Sequence, residues 1–224
     1  LSVRIAPGEF VALVGPSGCG KSTLLSVLAG LQQPDAGRVL IDGADAPGRL
    51  GRLTLMPQGD ALMPWLTLLD NVMVGPRLAG SPRGEAEASA RATLARFGLT
   101  GFEDHYPHAL SGGMRQRASL ARTLLGGARA WPLDEPFGAL DALTRSDLRG
   151  VLARTWTQDR PTALLVTHDL DEALLLADRV LVCGPRPARG SHEIGGPPPP
   201  PRELDDVGGP EIGALRAEGL AAPR

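Results

Sequence analysis

The sequence predicts an α/β fold: a mostly parallel β-sheet core interrupted by a helical insert. Three observations carry that prediction. Phe10-Val11-Ala12-Leu13-Val14 and Thr162-Ala163-Leu164-Leu165-Val166 are short apolar runs bounded by turn signals, as expected of strands covered on both faces. A glycine-rich loop joins the first of them to the apolar helical segment Thr23-Leu24-Leu25-Ser26-Val27-Leu28-Ala29. Between residues 58 and 127 the pattern turns helical.

Taken in order, the elements begin with Leu1-Ser2-Val3-Arg4-Ile5, which alternates like a strand. There is no initiating Met, and the chain is expected to start partway into a domain. After strand 10–14 comes Gly15-Pro16-Ser17-Gly18-Cys19-Gly20-Lys21-Ser22-Thr23, which satisfies G-x-x-x-x-G-K-[ST]. Glycines let successive N–H groups point inward at phosphate oxygens, and the helix N-terminus adds its partial positive charge. Lys21 would reach the β- and γ-phosphates, and the Ser22 hydroxyl would ligate Mg²⁺. Further strand-like runs occur at Arg38-Val39-Leu40-Ile41, Leu53-Thr54-Leu55-Met56 and Arg179-Val180-Leu181-Val182. In the insert, Ala86, Ala90, Leu94 and Phe97 form one core-facing helical stripe. Pro82 suits the first turn of that helix and Gly98 its end. Gly195-Gly196 and Pro197 to Pro201 favour extended polyproline, and residues 196–224 read as a weakly ordered tail with at most a short helix near Glu211 to Leu215.

Composition sets limits. The 224 residues are 42% hydrophobic, enough for a substantial core. With a net charge of −2 and a pI near 6.1 there is no basic footprint for nucleic acid. Cys19 and Cys183 match no metal or disulfide spacing, which fits a reducing compartment. No apolar run approaches the length of a membrane span.

A phosphate loop needs a second carboxylate for Mg²⁺, and a hydrolase needs a group to activate water. Asp134 and Glu135, at the end of Ala130-Trp131-Pro132-Leu133, supply both: Asp134 toward Mg²⁺, Glu135 as general base. Leu110-Ser111-Gly112-Gly113-Met114-Arg115-Gln116-Arg117 opens another helix N-terminus able to hold an anion.

The pairing of LSGGMRQR with GPSGCGKST resembles the ABC transporter ATPase subunits, from Leu1 to about residue 195. The resemblance implies a P-loop NTPase (RecA-like) core over 1–57 and 128–195, antiparallel N-terminal β elements, and a helical subdomain over 58–127. It implies that Gln58 is the Q-loop glutamine that contacts Mg²⁺ and water, and that His168 in Leu165-Val166-Thr167-His168-Asp169 is the switch histidine beside the γ-phosphate. Gly138-Ala139-Leu140-Asp141 is similar to the D-loop. His105, His108 and His192 have no such support and read as loop residues.

The resemblance further implies a head-to-tail homodimer. In it, Ser111, Gly112, Gly113 and Asp141 of one subunit close over ATP held by the other's Lys21 loop. Transmembrane permease subunits would place the chain at the cytoplasmic face of the membrane, with a solute-binding protein acting indirectly. The exposed pair Pro64-Trp65 is a candidate permease contact, with local packing as the alternative. Leu62-Met63-Pro64-Trp65-Leu66-Thr67-Leu68-Leu69-Asp70-Asn71-Val72 is similar to a pattern of nitrate, sulfonate and taurine importers. The segment from Val182 to Arg189 resembles another.

Two departures stand out. Trp131-Pro132 interrupts the apolar strand expected before Asp134, so that strand either tolerates a local break or catalysis is impaired. The resemblance implies an adenine-stacking aromatic well before the phosphate loop, and the sequence is expected to start too late to include it. The competing functions are a degenerate binding module and a soluble, non-transport ABC ATPase.

Overall fold

The computed structural model describes residues 2–138, 140–184, 191–194, 202 and 209–221. Its sheet has the strand order β4-β5-β1-β6-β7, with β1 Phe10–Val14, β4 Ala130–Asp134, β5 Thr162–Thr167, β6 Arg179–Cys183 and β7 Ser191–Ile194. The first four run parallel, and β7 is antiparallel to β6. Alternate residues of β1 feed two cores. Val11 and Leu13 pack with Leu25 of α1 (Lys21–Ala29), whereas Phe10, Ala12 and Val14 belong to the larger core on the other face. That two-sided burial is why β1 is apolar throughout.

The insert contains α2 (Leu68–Leu78), α3 (Arg83–Arg96), a single 3₁₀ turn at Pro107–Ala109 and α4 (Gly112–Leu124). α2 packs against both α3 and α4. Ala86, Ala90, Leu94 and Phe97 are all buried, as the stripe predicts, although Pro82 stands one residue outside the helix, as its N-cap. Asn71, fully buried on α2, holds the preceding loop. Its Oδ1 accepts from the Met63 N–H at 2.8 Å, and its Nδ2 donates to the carbonyls of Met63, Leu66 and Thr67 at 3.0–3.2 Å. This leaves Trp65 72% exposed at the tip. Local packing therefore does not explain Trp65. Asn71→Ala removes all four bonds; the Met63 and Thr67 carbonyls keep backbone N–H partners, whereas the Met63 N–H and the Leu66 carbonyl lose the side chain that holds them. The change is expected to cost about 2–4 kcal/mol, read as a lower urea midpoint with unchanged slope.

Pro132 leaves β4 intact. The ladder with β5 runs in register from Ala130↔Thr162 to Asp134↔Val166. The other side of β4 meets residues 54–56: Thr54 N–H donates to Ala130, Met56 N–H to Pro132 O at 2.9 Å, and Asp134 N–H to Met56 O at 2.9 Å. In a parallel ladder each residue bonds to a single neighbouring strand, so the donor that proline lacks belongs to this outer side, opposite Thr54. The expected strand over 53–56 is accordingly reduced to a bridge, Met56↔Leu133. Trp131 is buried beside small Ala163, which leaves it room.

Other expectations are corrected. Residues 2–5 form no strand, because no described strand lies alongside to complete a ladder. Antiparallel structure near the N-terminus is limited to the hairpin of β2 (Leu40–Ile41) and β3 (Ala44–Asp45), so the run at 38–41 is shorter than predicted. His192 lies in β7 rather than a loop, opposite Val182. Within the tail, residues 210–221 form a full helix, α7 (Pro210–Ala221), which packs on β7 and on α6 (Leu170–Leu176). Buried Ile212 anchors it, and Gly219 lets it approach Ile194 and Leu170 so closely that a Cβ would stand 2.7 Å from each. Buried Arg202 donates to the Leu174 and Ala177 carbonyls at the end of α6. Composition alone could not show these contacts. The polyproline run and residues 185–190 of the importer-like segment lie outside the described residues. None of the described helices is long and apolar enough to cross a membrane.

Candidate active site

β1, β4 and β5 are adjacent and parallel, so the residues after their C-terminal ends meet at one rim. Brought to that rim are the 15–23 loop, Asp134, Glu135 and His168, with Gln58 following the 54–56 segment beside β4.

The loop is built for close backbone approach. Gly20 caps α1 at φ 107°, a left-handed conformation that a side chain would strain. At Gly15 a Cβ would stand 3.0 Å from Cys183 Cβ and 3.2 Å from Cys19 Sγ, so a side chain there would press on both cysteines. Lys21 is buried, and its ammonium donates to Gly15 O at 2.7 Å and Pro16 O at 2.9 Å, with Cys19 Sγ at 3.8 Å. These contacts fold the ammonium over the loop's own concavity. Arg49 binds the carbonyls of Val27, Gln32 and Ala46 and fixes the far end of α1.

Asp134 is buried at the end of β4, and its Oδ1 has no hydrogen-bond partner. Burial raises its carboxyl pKa, the Ser22 hydroxyl's hydrogen bond opposes the rise, and the Glu135 charge adds to it. Among the described residues, no three His, Cys, Asp or Glu side chains cluster as a metal site. An orphaned carboxylate oxygen beside a serine hydroxyl and a phosphate loop suits a cation such as Mg²⁺, which takes one or two protein oxygens and completes its shell with phosphate and water. Because folding raises this pKa, the fold favours the protonated acid. The group's contribution is fully present below the ordinary aspartate value of about 3.9 and is lost as pH rises through the folded value. Asp134→Asn is therefore expected to raise the thermal midpoint at neutral pH, the gain shrinking as the scans approach pH 4.

Glu135 takes a left-handed backbone at φ 45°, uncommon for a non-glycine residue, and its N–H is tied to Val166 O at 2.9 Å. Its carboxylate meets two partners. His168 Nδ1 lies 3.3 Å from Oε1, and Gln58 Nε2 donates to Oε2 at 3.5 Å. A cavity of about 30 Å³ opens beside Glu135 and His168, lined also by Gly138, Arg145 and Thr167. That is room for a water molecule.

Of the D-loop, Gly138 lines the cavity beside Glu135, whereas Asp141 and the signature residues Ser111, Gly112 and Gly113 are not among its lining. Ser111 is the exposed N-cap of α4, its Oγ accepting from the Met114 N–H at 3.2 Å. Asp141 is the exposed N-cap of α5 (Ala142–Asp159), bonded to the N–H and hydroxyl of Thr144, which hold its carboxyl pKa low. Gly113 packs near Leu140, so the two motifs share one surface. Among the described residues, no hydrogen bond or ion pair joins Ser111 to Gly113 with the 15–23 loop. Ala139 of the D-loop lies outside the described residues.

Other side chains wire α4 to the rim, a role the sequence did not reveal. Gln116 Nε2 donates to Pro136 O at 2.9 Å, just past Glu135, and Arg115 Nε donates to Asp60 Oδ2 at 2.8 Å, just past Gln58. The polar character of Arg115-Gln116 within a helix start was the available signal.

The ABC transporter family matches residues 1–138. The taurine import ATP-binding protein TauB of Pseudomonas aeruginosa is 49% identical over 189 residues, which is 84% of this chain and 72% of that protein. An uncharacterized ABC transporter ATP-binding protein of Methanocaldococcus jannaschii, MJ0412, is 44% identical over 84% of this chain and 71% of its own length. Among solved structures, the dimeric post-hydrolysis state of the ATP-binding cassette MJ0796 bound to ADP and Pi matches with a TM-score of 0.75 at 30% identity, covering 87% of this chain and 89% of that one. On the motifs, the rim geometry and these likenesses together, the chain belongs to the ABC transporter family, as one of its ATP-binding ATPase subunits.

Proposed function

We propose that this chain hydrolyses ATP to drive an ABC importer for taurine or a related sulfonate or nitrate-like anion. The observation that carries the hydrolytic part is the convergence of Gln58 and His168 on the Glu135 carboxylate, beside the Lys21 loop. The solute rests on kinship with taurine import proteins and on the Leu62 to Val72 pattern.

In the proposed mechanism, the Gly15 to Thr23 amides and the Lys21 ammonium bind the β- and γ-phosphates. Lys21 would exchange its two loop carbonyls for phosphate oxygens. Ser22, Asp134 and Gln58 would hold Mg²⁺, which when bound neutralises phosphate charge. Glu135 accepts a proton from water as its oxygen bonds to the γ-phosphorus, and the bond to the β–γ bridging oxygen breaks, leaving ADP and phosphate. Gln58 and His168 keep the carboxylate aimed at that water. Because Ser111, Gly112, Gly113 and Asp141 share a surface away from the chain's own loop, they fit the partner subunit's ATP in a head-to-tail homodimer. Exposed Pro64-Trp65, held from beneath by Asn71, is the proposed permease contact.

The test is reconstitution with the permease and binding protein of its own operon in proteoliposomes. Mg²⁺-dependent ATP hydrolysis that rises when taurine is added supports the assignment. Hydrolysis stimulated by another anion changes the solute alone. ATP binding with no turnover in the assembled complex would mark a degenerate binding module instead.

A further inference from the structure

Beside His168 lies a polar cluster formed by buried Arg149 of α5, Thr167 and Glu172 with half-buried Asp169. Glu172 is buried; its Oε1 accepts from Arg149 Nη2 at 2.6 Å and its Oε2 from the Thr167 hydroxyl at 2.7 Å. Arg149 Nη2 also reaches Asp169 Oδ2 at 3.2 Å. The Asp169 N–H donates to Thr167 Oγ1 at 3.0 Å, and Asp169 Oδ1 caps α6 by accepting from the N–H groups of Asp171 and Glu172. The residues on either side of His168 are thus both fixed by side-chain bonds that lead back to Glu172. His168 itself is 59% exposed and meets Glu135 from this anchored position.

Arg149 has a second attachment. Its guanidinium carbon lies 5.9 Å from the ring centroid of Phe137, a fully buried residue in the loop that carries Glu135. One side chain therefore braces both loops of the catalytic pair. A buried ion pair of this kind contributes little net stability once desolvation is counted, so its worth lies in the geometry it specifies.

We propose that Glu172 and Arg149 are positioning residues for ATP hydrolysis, setting where the His168 imidazole stands relative to the Glu135 carboxylate. This rests on the roles proposed for Glu135 and His168 and adds the device that holds them in register. Neither residue is hydrogen-bonded to the nucleotide-binding loop; Glu172 acts through His168, and Arg149 through His168 and the loop that carries Phe137.

The test uses the full chain. Glu172→Gln keeps the side chain's volume and an acceptor for Thr167 but loses the charge that orders Arg149. It is expected to lower kcat about 10- to 100-fold while changing the KM for ATP less than about threefold, the pattern of a misplaced catalytic group. Arg149→Lys, which keeps the charge but not the fork, is expected to do the same. The double variant His168→Ala/Glu172→Gln is expected to be no slower than His168→Ala alone. A further loss in the double variant, equal to that of the single one, would overturn the proposal. A second readout needs no turnover: the His168 Cε1–H NMR resonance is expected to shift in Glu172→Gln while those of His105 and His108 stay in place. An unmoved His168 resonance would overturn it too. Wild-type chain that binds ATP without hydrolysing it would count against the proposed function, and the resonance would still decide the brace.

Discussion

Lys21→Ala is expected to abolish ATP binding in the micromolar to millimolar range. The buried ammonium is the only cationic side chain of the 15–23 loop. Its two short bonds to Gly15 and Pro16 mark the positions that phosphate oxygens would take over. Hydrogen bonds to charged groups contribute about 1.5–3 kcal/mol each, so two of them correspond to roughly 10²- to 10⁴-fold in affinity. Isothermal titration with ATP and Mg²⁺ reads this directly, with far-ultraviolet circular dichroism confirming that the fold survives. A loss smaller than tenfold would mean that the loop amides and the α1 N-terminus carry the affinity without the lysine.

Glu135→Gln is expected to separate binding from turnover. Glutamine keeps the length and an oxygen that can still accept from Gln58, so ATP affinity should stay within about threefold. Hydrolysis should fall by roughly 10²- to 10⁴-fold, the usual worth of a positioned general base. With γ-phosphate loss blocked, an ATP-bridged pair of subunits should persist and appear by light scattering as an ATP-dependent dimer. Normal hydrolysis by this variant would remove Glu135 from the mechanism. A monomer at saturating ATP would remove the composite site formed with the partner's Ser111 to Gly113.

Local chemistry made much of the molecule readable. The apolar runs of β1, β5 and β6 appear as strands because burial on both faces keeps their central positions apolar. The stripe from Ala86 to Phe97 appears as a buried helix face because helical spacing is a property of adjacent residues. The phosphate loop was legible for the same reason, since its function is carried by the backbone of nine consecutive residues.

What failed to show was whatever depended on distant partners. Pro132 looked like a fault in a central strand, yet its missing donor falls toward residues 54–56, and only the sheet order reveals which side that is. The tail looked like a solvated extension because its composition is weak. Ile212 and Gly219 become meaningful only against Ile194 and Leu170. Glu172 carried no signal at all, since a glutamate in an acidic helix start is ordinarily a solvated cap.

The sequence by itself determined that this chain binds ATP and to which family it belongs, because a phosphate cradle and a helix cap are local constructions written in consecutive residues. The tertiary structure alone decided which acid stands beside which imidazole. It set Glu135 3.3 Å from His168 across two loops, left Asp134 Oδ1 unpartnered, and put Arg149 behind both loops. Those relations join residues far apart in the chain, and only the register of parallel strands brings such residues together.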